Sequence, residues 1–279
     1  SPDAILDVFE DSLVLLLGRQ IDQIAQVLSN VGAIGRNHHH LQVVNLLEFN
    51  GSVVEGSNSS YNDIISYIET HTLETEQNYL QVSKKIYVNN YIQYQLTEIY
   101  VNNKDWPANN IRYWNTNDPG SKWRWILYDT DFGFSIWDET AYTFNTLEFA
   151  LEPNEPDYPN PPWSTLLFRR LMTNPAFKNE FVNQYADRLN SNFKYEKVNE
   201  TVDSLKQVFL PEINDHLLRW DLTYDNWQYN YTVIKNFARY RPDYARTHLK
   251  SLLNLGDMLD IKIEISTPGT GKVKLNSII

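Results

Sequence analysis

The chain has 279 residues, no cysteine and a formal net charge of −11. The missing cysteines exclude disulfides, zinc-thiolate sites and a cysteine nucleophile, and the acidic balance argues against a nucleic-acid partner, which needs concentrated positive charge. A hydrophobic content of 42% fits a globular chain with a sizeable core, and the 18 Tyr and 8 Trp serve packing, ligand stacking or an interface.

Residues 4–31 carry apolar residues at helical spacing, with Ile21, Ile24, Ala25 and Leu28 on one face. The apolar run LVLLLG (13–18) is far too short to span a bilayer. GAIGRNHHH (32–40) is a breaker-rich loop. Its adjacent His38, His39 and His40 share no face and read as exposed loop residues rather than a metal cluster. LQVVNLLEF (41–49) is β-rich and runs into Asn-Gly, a strong turn signal. SYNDIISYIETH (60–71) has Ser and Asn at its start and helical apolar spacing, and residues 86–101 read as a second helix.

NNKDWPANN (102–110) is a loop. IRYW (111–114) and KWRWILYD (122–129) are predicted strands, joined through NTNDPGS as a hairpin. Residues 135–162 are expected to form one long irregular loop, because prolines crowd its end. From 163 to about 256 the pattern is mostly helical, and Arg241 in YRPDY is expected to be a buried ion-pair anchor. Residues 260–279 alternate with period two around a Gly-containing turn and predict a β tail, either a hairpin or the start of a following β domain. No internal repeat is present.

Two stretches carry chemistry. The first is Asp105 with Asn109 and Asn110; the second is Asp129 and Asp131 in YDTDFG, at the far edge of the same hairpin. Phosphoryl transfer from ATP needs a metal clamp on the phosphates and a carboxylate near the acceptor hydroxyl. Hard cations take oxygen ligands from Asp carboxylates and Asn carbonyls. Protein kinases place an Asp five residues before an Asn, then a second Asp beyond a strand. Asp105 precedes Asn110 by five residues, and residues 131–133 spell D-F-G. Taken alone, Asp105 to Asn110 reads as a turn and Asp129 with Asp131 as a strand-end cap or a structural calcium site. Their pairing favours the functional reading.

YVNNKDWPANNIRYW followed by KWRWILYDTDFGF resembles the core signature of the CotH family of atypical, secretory-type protein kinases, first known from spore coats. LLEFNGSVVEGS (46–57), LLFRRLMTNPAFKNEF (166–181) and FARYRPDYARTHL (237–249) extend the resemblance from about residue 42 to about 255. It implies an α+β, atypical protein-kinase-like fold: a small or incomplete N-lobe with a helical segment over 1–41, a kinase-like domain over 42–259 with a mainly helical C-lobe, and the β tail. It implies Asp105 as the catalytic residue, Asn110 and Asp129 as nucleotide and metal ligands, and Asn109 and Asp131 as further metal-site residues. The cofactors would be Mg²⁺ or Mn²⁺ and ATP, the partner a protein with a Ser or Thr acceptor, and the location secreted or cell surface.

No Gly-rich phosphate loop or strand-borne Lys is recognisable upstream of residue 42, and the basic candidates near the motifs are Lys104, Arg112, Lys122 and Arg124. The rival reading is an inactive extracellular binding or adhesion protein, which would lack a phosphate-gripping basic residue. A third, glycoside hydrolysis by two carboxylates about 5–10 Å apart, leaves Asn109 and Asn110 without a part. The aromatics of DWP, RYW and KWRW are read as core, with adenine or sugar stacking as the alternative.

Overall fold

A computed structural model describes residues 44–153, 159–262, 274–276 and 278. The helical segment expected over 1–41 and His38–His40 lie outside the described residues, as does most of the β tail. Of that tail, Leu275 and Ile278 form an isolated antiparallel bridge.

Strands β1 (Val44–Glu48) and β2 (Ser52–Glu55) form a hairpin. The Asn-Gly signal makes its turn: Asn50 and Gly51 adopt φ of 51° and 76°, a region open to Asn and Gly. Helix α1 (Ser59–Thr70) follows, then α2 (Glu76–Ser83) and α3 (Val88–Val101). The side chain of Asn58 does not cap α1; it donates to the Gly51 carbonyl at 3.0 Å and ties the hairpin turn to the helix start. Strands β3 (Arg112–Thr116) and β4 (Arg124–Ile126) complete an antiparallel sheet of order β2-β1-β3-β4.

Period-two alternation puts Leu47, Tyr113 and Trp125 in one row across the sheet, all buried. That row meets the helices through rings. Tyr61 of α1 stacks obliquely on Tyr113 at 4.5 Å, and Tyr91 of α3 meets Trp125 edge-on at 4.4 Å. The aromatic excess is therefore spent on the sheet–helix interface, and Trp106, Tyr113, Trp123 and Trp125 are core as expected. The β4 edge is closed by a side chain. Asn90 of α3 accepts from Trp125 N–H at 2.6 Å and donates to its carbonyl at 3.1 Å, acting as a one-residue strand.

The expectation of one irregular loop over 135–162 is corrected. Residues Ala141–Thr143 form a 3₁₀ turn and Thr146–Leu151 a short helix, α4. Asn145 and Glu148 make a reciprocal cap: Asn145 Oδ1 accepts from Glu148 N–H at 3.1 Å, and Asn145 Nδ2 donates to the Glu148 carboxylate at 2.9 Å. Burial of Leu147 and Ala150 anchors this helix.

The rest is helical as read: α5 (Leu166–Met172), α6 (Pro175–Leu189), α7 (Tyr195–Phe209), α8 (Ile213–Trp220) and α9 (Tyr224–Leu252). Helix α9 runs through Pro242 and packs on α4, α6 and α7. Arg241 is buried, but the expected ion pair is absent. Its five N–H groups go to neutral acceptors: the carbonyls of Ile99, Tyr100, Tyr142 and Phe144 and the Thr146 hydroxyl. Four of these are backbone oxygens that helix ends and turns leave without a helical partner. Arg241 thus joins the end of α3, the 3₁₀ turn and the start of α4. Among the described residues no helix is long and apolar enough to cross a membrane. The α+β class holds.

Candidate functional site

The site is assembled at the end of α3. Asn102 terminates that helix in the left-handed region (φ 55°) and accepts from Thr146 Oγ1 at 2.9 Å. The following Asn103 is buried and its side chain makes three bonds. Its Oδ1 accepts from Asp105 N–H at 3.1 Å, and its Nδ2 donates to Glu98 Oε2 at 3.0 Å and to the Asp129 carbonyl at 3.3 Å.

Trp106 drops into the core beside Tyr94 and fixes the next turn from below. Asn109 N–H closes that turn onto the Asp105 carbonyl at 3.3 Å. The turn brings Asn109 Nδ2 to 2.7 Å and Asn110 Nδ2 to 2.8 Å from one oxygen, Asp105 Oδ2. Among the described residues no hydrogen-bond partner reaches Asp105 Oδ1 or Asn110 Oδ1.

Asn110 precedes β3 and Asp129 follows β4, so the strand pairing sets them side by side. Asn110 Nδ2 also donates to the Asp129 carbonyl at 3.3 Å. Both residues sit at positive φ, 52° and 54°, which Asn and Asp tolerate better than branched residues. The D-F-G segment returns to the α3 end. Phe134 N–H donates to the Val101 carbonyl at 2.9 Å, and Lys104 N–H donates to the Phe132 carbonyl at 3.2 Å. Gly133 suits this approach, because a Cβ there would lie 3.0 Å from the Val101 and Thr130 carbonyl oxygens.

Asp131 lies against Asp129, within hydrogen-bond reach of its carboxyl. Burial, then that hydrogen bond and the Asp129 charge, push the Asp131 carboxyl up to about 7. Its Oδ1 is buried without a partner. Two facing carboxyls with an orphaned oxygen need a proton or a cation between them. Together with the Asn110 amide oxygen they would offer oxygen donors alone, the chemistry a hard divalent cation takes. Among the described residues no cluster of three or more His, Cys, Asp or Glu that could hold a metal ion is found.

The family model described as CotH kinase protein matches residues 36–245. The chain belongs to the CotH family. Comparison with curated proteins gives no match.

In this CotH chain all five residues singled out from sequence, Asp105, Asn109, Asn110, Asp129 and Asp131, come together at the β3–β4 open end. Of the basic candidates, Arg112 stands at that end, on the pair it forms with Ile126, but none forms an ion pair with the aspartates. Lys122 and Arg124 sit toward the opposite, turn end of the hairpin. Lys122 Nζ donates to the Ser83 carbonyl at 2.9 Å, while Arg124 lies 5.1 Å over Tyr87 and 5.3 Å over Trp114. Arg112 pairs with Glu48 and covers Tyr128. Lys104 turns away from Asp105 onto the Phe144 ring at 3.6 Å, and burial holds its amine below the ordinary lysine range. Among the described residues no basic side chain pairs with Asp105, Asp129 or Asp131.

Sequence reasoning missed Glu98. It is fully buried, and its Oε1 has no hydrogen-bond partner. Burial, opposed by the Asn103 hydrogen bond and helped by the Asp129 charge, pushes its carboxyl up to about 8. The signal was available. Glu98 is the sole charged residue in the α3 sequence VNNYIQYQLTEIYV.

Proposed function

We propose that this CotH-family chain has a kinase-like fold and transfers the ATP γ-phosphoryl group to a Ser or Thr hydroxyl of a protein. The single observation that carries the reading is the facing Asp129–Asp131 pair with its orphaned oxygen, beside an Asn110 that also holds Asp105. Asn110 Oδ1, Asp129 and Asp131 would hold Mg²⁺ or Mn²⁺, which supplies charge neutralisation at the phosphates when bound. Asp105 would receive the acceptor proton. Its Oδ2 is fixed by two amides, so Oδ1 points to one place and is free to orient the hydroxyl. Asn109, like Asn110, donates its amide N–H to the Asp105 carboxylate, and would support Asp105 while its Oδ1 adds an oxygen to the metal site. The family likeness supports a secreted or cell-surface location for this activity.

The test is the thermal midpoint with and without Mg²⁺–ATP, for wild type and Asp129→Asn. Nucleotide at about 100 times its dissociation constant stabilises the fold by roughly 2.7 kcal/mol. A metal-dependent rise that Asp129→Asn abolishes is expected. Absence of any rise in the wild type overturns the reading.

One observation favours a second reading, an inactive extracellular binding protein. Lys104, Arg112, Lys122 and Arg124 are each engaged away from the aspartates. A flat thermal response to Mg²⁺–ATP, Mn²⁺–ATP and metal alone is what that reading expects.

A further inference from the structure

Glu98, Asn103, Asp105 and Asp129 form a continuous chain of bonds from the core to the site. Glu98 is 0% exposed and Asn103 2%, so neither is part of the open site surface. The end of α3 aims one at the other. Asn102 N–H and, at 3.4 Å, Asn103 N–H both fold back onto the Glu98 carbonyl, which turns the Asn103 side chain toward the Glu98 carboxyl. An amide has two chemically different ends, and which end faces where is decided by its partners. Glu98 Oε2 accepts, so it selects the Nδ2 end of Asn103. The Oδ1 end is thereby left facing Asp105 N–H, and the second Nδ2 proton reaches the Asp129 carbonyl.

We propose that Glu98 is the positioning residue of this site: through Asn103 it locks the backbone of Asp105 to the backbone of Asp129, and so sets the spacing between proton acceptor and metal ligands. The inference rests on the phosphotransfer reading above. Glu98 touches neither substrate nor metal. Without it, the inner Nδ2 proton of Asn103 is left buried and unpaired, and the amide is free to turn. Asn110 still ties Asp105 to the Asp129 carbonyl, so the site loosens without coming apart. Only an acceptor at position 98 is required, not a charge. Gln, whose side-chain oxygen reaches the same place, keeps the arrangement; Ala does not.

The test measures Mn²⁺ affinity by electron paramagnetic resonance of the free ion, on the whole chain without nucleotide. Outer partners of metal ligands typically change affinity about 10- to 100-fold. Glu98→Ala and Asn103→Ala are each expected to weaken Mn²⁺ binding about 10-fold, and Glu98→Gln less than about 3-fold. The Gln rescue separates positioning from mere loss of packing. Should Glu98→Ala not fold, Asn103→Ala with Glu98→Gln decides. Wild-type affinity in the Ala variants, or equal losses in Gln and Ala, overturns the inference alone. A wild type that binds no Mn²⁺ overturns the phosphotransfer reading and this inference with it.

Discussion

Asn110 Nδ2 stands 2.8 Å from Asp105 Oδ2 and 3.3 Å from the Asp129 carbonyl, so one amide joins the two motifs that the sequence keeps apart. Their common position follows from β3 and β4, whose antiparallel register returns the chain to its starting edge. Asp105, Asn110 and Asp129 are therefore held together by short-range bonds at the end of a short hairpin, the kind of fixed spacing that the proposed phosphoryl transfer would need.

Asp105→Asn is expected to leave the Mg²⁺–ATP thermal shift intact and to lower phosphoryl transfer about 10²- to 10⁴-fold. The assay is radiolabel transfer from ATP to a protein acceptor, run beside the thermal measurement. Transfer at the wild-type rate would remove Asp105 from its role.

Glu98 makes stability depend on pH. Its carboxyl rises from an ordinary 4.5 to about 8 on folding because burial disfavours the charge. The contribution is then fully present below 4.5 and is lost as pH rises through about 8. The expected slope for this group approaches about 1.4 kcal/mol per pH unit across that window. Glu98→Gln cannot ionise, so its stability relative to wild type should grow from pH 5 toward pH 8. Urea denaturation at several pH values measures it, and parallel curves for the two proteins would refute the burial argument.

Arg241→Met keeps volume and removes all five donors. Four carbonyls and the Thr146 hydroxyl then lose a charged partner in a buried place. A loss of about 3 kcal/mol or more is expected by urea denaturation. A loss under about 1 kcal/mol would mean that water replaces the guanidinium.

Gly133→Ala places a Cβ 3.0 Å from two backbone oxygens, and neither can swing away as a side chain would. The expected cost is about 1–3 kcal/mol. The Mg²⁺–ATP shift should weaken with it, since the same segment carries Asp131. Wild-type stability in the variant would show that the Val101 end of α3 yields.

Features that depend on neighbours along the chain were legible in the residues themselves. Alternation gave the strands and Asn50-Gly51 the hairpin turn, because side-chain direction and allowed φ are local properties. The five-residue interval from Asp105 to Asn110 and the hairpin before Asp129 were also readable, since a single turn and a single strand pair bring those residues together. Even α4 had a local signal in its Asn145–Glu148 cap, hidden by the prolines that follow. Which distant group meets which depends instead on how the elements pack. Arg241 found carbonyls rather than a carboxylate because the α3 end and the 3₁₀ turn happen to converge on α9. Lys104 and Arg124 went to aromatic rings, as their direction follows from packing and not from spacing. Glu98 entered the site only because α3 ends where it does, with Asn102 turning Asn103 back toward it. Burial, and with it the cost of a charge, belongs to the assembled fold.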